Sequence, residues 1–122
     1  MKTLIKAFEV LNLKGYNNIF LYITGKGKLE KYIIKKSKRL KNLKYFGFVK
    51  EDEKIDLLLN SDLFVYPSED SYFLFFIQRW REQTATSVLE AMRAGLPIIV
   101  SDSGSLPEIV GREDVVFRPR AY

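Results

Sequence analysis

The chain contains no cysteine and no histidine. Without thiols there is no disulfide, no thiolate nucleophile and no sulfur-ligated metal. Without imidazole it also lacks the side chain that most often binds transition metals and shuttles protons near neutral pH. Serine–histidine, cysteine–histidine and zinc-hydrolase chemistries are therefore excluded. No apolar run reaches the roughly 18 residues that a membrane-spanning helix needs. The opening stretch MKTLIKAFEVLNLKG carries polar residues through its apolar part and makes a poor signal peptide. Internal repeats, low-complexity tracts and linkers are absent too, and a cytoplasmic protein is expected.

What is present suits a packed globule. The 122 residues are 47% hydrophobic and 14% aromatic, enough for one domain that buries most of its apolar surface. The formal charge of +5 is concentrated. Residues 26 to 44, KGKLEKYIIKKSKRLKNLK, hold nine Lys or Arg against one Glu. Leu29, Tyr32, Ile33 and Leu40 recur there at helical spacing, which leaves the lysines mainly on the opposite face. A solvated basic face is the plain reading, and contact with anionic lipid headgroups, at the inner membrane face, or with polyanions is the sharper one. Nucleic acid is not expected as a partner, because no recognised binding module accompanies the charge.

Helical and strand patterns alternate along the chain. Residues 2–13 read as a helix with Leu4, Ile5, Phe8 and Leu11 on one stripe. NIFLYITG (18–25) reads as a strand buried on both faces. The basic helix follows, then LKYFGFV (43–49) as a strand and DEKIDLLLNS (52–61) as a helix with Ile55, Leu58 and Leu59 inward. DLFVYPS (62–68) is a strand, and a helix near 84–94 leads through Gly95-Leu96-Pro97 into the strand PIIVS (97–101). A short helix from about 106 carries a Ser105-x-x-Glu108 capping box, and DVVFR (114–118) closes the series. This order predicts five strands in one parallel sheet covered by helices. The chain opens on a helix, so an expected first strand would precede Met1.

Parallel α/β sheets bind ligands at the carboxyl ends of their strands, beside the N-termini of the helices that follow. Gly25-x-Gly27 after the first strand is by itself a tight turn. REQTATSVLEAMRAGLPIIVSDSG (81–104) says more. A helix starting at Thr84 to Thr86 offers unpaired N–H groups and a positive dipole end, and Thr84, Ala85, Thr86 and Ser87 are small enough to admit a diphosphate. Glu82 just before that helix and Glu90 within it would bracket the anion and accept hydrogen bonds from sugar hydroxyls. The spacing of eight carries no weight alone, and Glu90 fits an ordinary surface helix equally well.

The surroundings of the two glutamates decide between these readings. PS…WREQ…LEAMRAGLPIIVSDSGSLPEIVG closely resembles the nucleotide-sugar-binding half of the retaining GT-B glycosyltransferases, the glycosyl transferases group 1 family. Glu82 and Glu90 match its E-x7-E motif. Upstream, LIKAFEVLN, LYITGKGKLEKYI and YFGFVKEDEKIDLLLNSDLFVYPS match further family motifs in the family's order, so the resemblance covers nearly the whole chain.

The resemblance implies a Rossmann-like α/β fold, with helices on both faces of a parallel sheet, as the C-terminal half of a GT-B fold. Residues 1–122 would be a single, partial donor domain. By the same resemblance Glu82 contacts the donor sugar and acts in catalysis, and Glu90 holds the ribose. Gln83, Thr84, Ala85 and Thr86 belong to the donor site, where the backbone amides of Thr84 to Thr86 cradle the diphosphate. Phe48, Val49 and the Gly25 turn line the donor site as well, with Phe48-Val49 near the base. Transfer would retain anomeric configuration, with no metal and no cofactor besides a UDP-, GDP- or ADP-linked hexose. Electrostatic stabilisation of the leaving diphosphate by helix N–H groups is the mechanism these residues support.

Three departures qualify this. Ala85 stands where the family usually has glycine, adding a Cβ beside the ligand. The cationic segment that grips the diphosphate would fall before Met1. The N-terminal acceptor domain is absent from the chain, so the isolated half is not expected to turn over. Residues 68–81, SEDSYFLFFIQRWR, place an apolar run where the family has loop. That run is either packed inside or an exposed patch that meets the acceptor domain, a second copy or a membrane. A non-catalytic α/β interaction module, acting through its basic helix and aromatic loop, is the rival reading of the whole chain.

Overall fold

The computed structural model describes residues 1–68, 71–73, 77–80, 86–111 and 116–117. The chain forms two compact units, one of Lys2–Ile55 and one of Met1 with Asp56–Tyr122.

The first unit begins with α1 (Lys2–Leu13), then β1 (Leu21–Thr24), α2 (Glu30–Arg39) and β2 (Leu43–Gly47), and it ends inside α3 (Glu51–Leu59). Helix α1 has the bounds its sequence predicts: Ile5 and Phe8 are buried and Leu4 and Leu11 half-buried, one stripe at a period of 3.6. Its end is a Schellman turn. Gly15, at φ 91°, donates to Asn12 O, and Tyr16 donates to Leu11 O. Strands β1 and β2 are parallel, with Leu21 opposite Leu43 and Ile23 opposite Tyr45.

Ile23 and Leu43 are buried, but Tyr22 is 43% exposed, so β1 has one covered face and not the two expected. The residues explain this. Leu-Tyr-Ile-Thr alternates, and Tyr22 finds its partners along the open face: Phe46 edge-on at 5.5 Å and the Lys44 ammonium at 5.8 Å.

Helix α2 occupies the middle of the basic stretch. Ile33 is buried and Tyr32 and Leu40 are half-buried, as the spacing predicts. One lysine turns inward: Lys36 Nζ lies 2.5 Å from Glu9 Oε1 and 5.6 Å from the Tyr32 ring centre. Helix α3 starts on an acidic turn, where Glu53 Oε2 accepts the Lys50 N–H at 3.0 Å and so satisfies a donor at the helix start. Its expected inward stripe is corrected. Leu58 packs against the core of the second unit, whereas Ile55 and Leu59 are 45% and 65% exposed.

The second unit continues with β3 (Phe64–Tyr66), β4 (Ser71–Phe73), β5 (Ile77–Trp80), α4 (Thr86–Arg93), β6 (Ile98–Ser101), α5 (Leu106–Val110) and β7 (Val116–Phe117). β3, β6 and β7 form a parallel sheet in the order β3-β6-β7, with Phe64 opposite Ile98 and Val100 opposite Val116. Val88 and Ala91 of α4, Ile98 and Val100 of β6 and Leu106 of α5 make the buried core. The central strand is therefore the apolar one.

Among the described residues, the hydrogen-bonded ladders are β1–β2, β3–β6–β7 and the antiparallel pair β4–β5. This last pair corrects the expectation of loop at 69–81: Tyr72 stands opposite Gln78 and Phe73 opposite Ile77. An aromatic and β-branched run has strand propensity, and pairing with itself satisfies its backbone. Whether its side chains are covered lies outside the described residues.

Helix α5 begins at the expected place, but Ser105 makes no side-chain capping bond, with φ −90° and ψ 4° in place of an extended N-cap. Pro in the first turn and Gly111 in the left-handed conformation set its limits.

Candidate functional site

Each parallel sheet has a carboxyl edge, and those of the residues singled out by the sequence that the structure describes lie toward these two edges. At the end of β1, Gly25 turns at φ 93°. Its N–H donates to Gly47 O at 2.6 Å and its carbonyl accepts the Tyr45 hydroxyl at 2.8 Å. The same hydroxyl lies 3.0 Å from Glu30 Oε1 on α2. Gly25 is thus clamped from two sides, and Phe48 follows directly on the Gly47 that holds it. Three residues expected at the donor site, Gly25, Phe48 and Val49, are brought to one edge by this arrangement. Phe48 is 74% exposed, and a Cβ at Gly25 or Gly27 would meet no atom within 4 Å. The edge therefore offers open backbone beside an exposed aromatic ring, a combination suited to a flat ligand.

The Tyr45 phenol is held above its ordinary value of 10.0. Partial removal from water is the main cause, followed by its hydrogen bond to Glu30 and repulsion from that carboxylate. Neither Tyr45 nor Glu30 was expected from sequence. The available signal was a tyrosine at an inward position of β2, in register with Leu43, since a phenol turned inward needs a partner for its hydroxyl.

At the second edge, α4 is the connection between the adjacent strands β3 and β6 and packs on both. Its C-terminus joins the start of β6, where Phe64 N–H donates to Pro97 O at 2.9 Å. The chain direction therefore places Thr86, the first residue of α4, toward the carboxyl edge. Thr86 is exposed, as an anion-facing first turn requires. Glu90 follows one turn later on the same side of the helix. It is half-buried, and its Oε2 is fully withdrawn from solvent. A carboxylate oxygen held in this way departs from the plain surface glutamate that spacing alone allowed. At the end of β6, Ser101 is buried, as is Ser103 beyond it, and Asp102 N–H donates to Phe117 O at 2.7 Å.

Glu82, Gln83, Thr84 and Ala85 lie outside the described residues, so Thr86 and Glu90 alone represent the E-x7-E region here. Among the described residues, no three acidic side chains gather as metal ligands would, and no helix is long and apolar enough to cross a membrane.

The chain is similar to the crystal structure of AviGT4, a glycosyltransferase involved in avilamycin A biosynthesis. The TM-score is 0.63 at 26% identity, over 80% of this chain and 30% of that one. The O-antigen chain mannosyltransferase B of Escherichia coli is 26% identical over 98% of this chain. The serotype-specific mannosyltransferase WbdA of Escherichia coli is 36% identical over 62% of it. The chain spans 29% of the length of the first and 8% of the second. The fold is the α/β, Rossmann-like, GT-B type that the sequence implied. The family model for glycosyl transferases group 1 matches residues 1–121, and the chain belongs to that family.

Proposed function

We propose that this chain is the donor-binding part of a retaining glycosyltransferase that moves a hexose from a nucleoside diphosphate to an acceptor. The observation that carries the reading is the place of Glu90. It stands one turn inside a helix that opens at the carboxyl edge of a parallel sheet, with one carboxylate oxygen out of solvent. A ribose diol donates hydrogen bonds, and a carboxylate on that side of the helix has the chemistry to accept them. The first turn of α4 would take the diphosphate, and Glu82 the sugar hydroxyls. The N–H groups there would offset charge on the departing diphosphate, which is the electrostatic part of catalysis. No step requires a metal or a cofactor besides the UDP-, GDP- or ADP-linked sugar. The mannosyltransferase relatives support a hexose as cargo. Acceptor recognition would belong to a further domain, and this part would not turn over alone.

Calorimetric titration with nucleoside diphosphates and their sugar conjugates tests the reading. Glu90→Ala should cost roughly 1.5–3 kcal/mol with every ligand that carries a ribose, if the lost bonds are charge-assisted. Glu82→Ala should weaken the sugar conjugate more than the bare diphosphate. If both variants bind both ligands like the wild type, the carboxylates are scaffold, and the chain is a non-catalytic α/β interaction module.

A further inference from the structure

The most uneven charge in the chain lies on α2, and the structure separates its residues by direction. Ile33 is buried, and Tyr32 and Lys36 are half-buried. Lys31, Ile34, Lys35 and Lys38 are all exposed, and their spacing of three and four residues sets them on one face. Arg39 and Lys41 are exposed beside that face. Nearby carboxylates are turned away from it. Glu9 holds Lys36, Glu30 accepts from Tyr45, and Glu53 caps α3. Five cations therefore share this surface, and among the described residues none of them forms an ion pair. On the flank of these cations sits Ile34, 38% exposed.

We propose that this face of α2 docks on an anionic lipid bilayer. Charge complementarity supplies the attraction, since juxtaposed lysines are drawn to the negative surface potential of acidic lipids. From Lys31 to Lys38 the face is about 10 Å long by helical rise, enough for more than one headgroup. Lysine stems lie along apolar surface while their ammonium groups stay in the headgroup layer. Ile34 selects the partner. A soluble polyanion gives an exposed isoleucine nothing to bury against, whereas the headgroup–acyl boundary accepts both the apolar side chain and the cations beside it. The contact needs neither a spanning helix nor an occupied donor site, so it stands apart from the transferase reading.

The test is flotation of the full chain with phosphatidylcholine vesicles, with and without phosphatidylglycerol, at low and high salt. Binding should require phosphatidylglycerol and fall as salt rises, because exposed charges separated by more than about a Debye length, roughly 8 Å at physiological ionic strength, are screened. Lys35→Gln and Lys38→Gln should each lower partitioning about fivefold. Ile34→Gln should also lower it, at unchanged charge, while leaving retention on dextran sulfate as in the wild type. All three positions are exposed, so thermal melting should show the fold intact. Absence of flotation would overturn the proposal, as would lysine variants that float like the wild type. An Ile34→Gln variant that floats undiminished would reduce the face to a general polyanion contact and overturn it equally.

Discussion

Tyr45 is the residue on which the first carboxyl edge depends. Its one hydroxyl proton is shared between the acceptors Gly25 O and Glu30 Oε1, so it ties a turn, a strand and a helix at one point. Tyr45→Phe keeps the ring and removes both bonds, and it should lower thermal stability and loosen the Gly25 turn. The pH dependence has a definite sign. The folded-state pKa lies above the ordinary 10.0, so the folded protein holds the phenolic proton more firmly than the unfolded chain does. The stabilisation is complete below pH 10, and it is lost as pH rises past 10 and through the higher folded-state value. Alkaline melting curves should show a steeper loss for the wild type than for Tyr45→Phe. Parallel curves above pH 10 would remove Tyr45 from this role.

Among the elements, α4 carries the site and is itself held by its ends. Its C-terminus is a Schellman turn, in which Gly95 N–H donates to Met92 O and Leu96 N–H to Ala91 O. Gly95 sits at φ 76°, and a Cβ there would meet no atom within 4 Å. Crowding therefore cannot be the cost of Gly95→Ala. The left-handed backbone is, and urea unfolding should register a loss of roughly 1 kcal/mol. A neutral substitution would mean that the turn relaxes without consequence for α4. Helix α2 shows the opposite economy. One turned-in lysine and one isoleucine fix it to its unit, and the remaining cations are left on a free face. That division is why its charge bears on partners and not on stability.

On the scale of the whole molecule, each compact unit pairs a parallel ladder with helices, and apolar residues differ sharply in consequence with their burial. Leu106 is wholly buried in the core of the second unit, while Leu59, closing α3, is 65% exposed. Leu106→Ala should cost about 2–5 kcal/mol, through lost transfer energy and the cavity left behind. Leu59→Ala should stay within about 0.5 kcal/mol. Equilibrium unfolding of the two variants checks this, and equal losses would mean that the core is not where the burial places it.

The sequence by itself determined the order of helices and parallel strands, the buried stripe of α1, the absence of thiol and imidazole chemistry and the family. Local periodicity and the spacing of turn residues carry that information within single segments. Gly25, Phe48 and Val49 were legible as candidate site residues, as were Thr86 and Glu90. What the sequence alone could not decide concerned contacts between segments. That β1 leaves Tyr22 open, that Ile55 and Leu59 face outward, and that residues 71–73 and 77–80 pair with each other all depend on which neighbour covers which face. The withdrawal of Glu90 Oε2 from solvent and the clamp of Tyr45 on Gly25 belong to the same class. Burial and hydrogen bonding join residues far apart in the chain, and only tertiary structure brings them within reach.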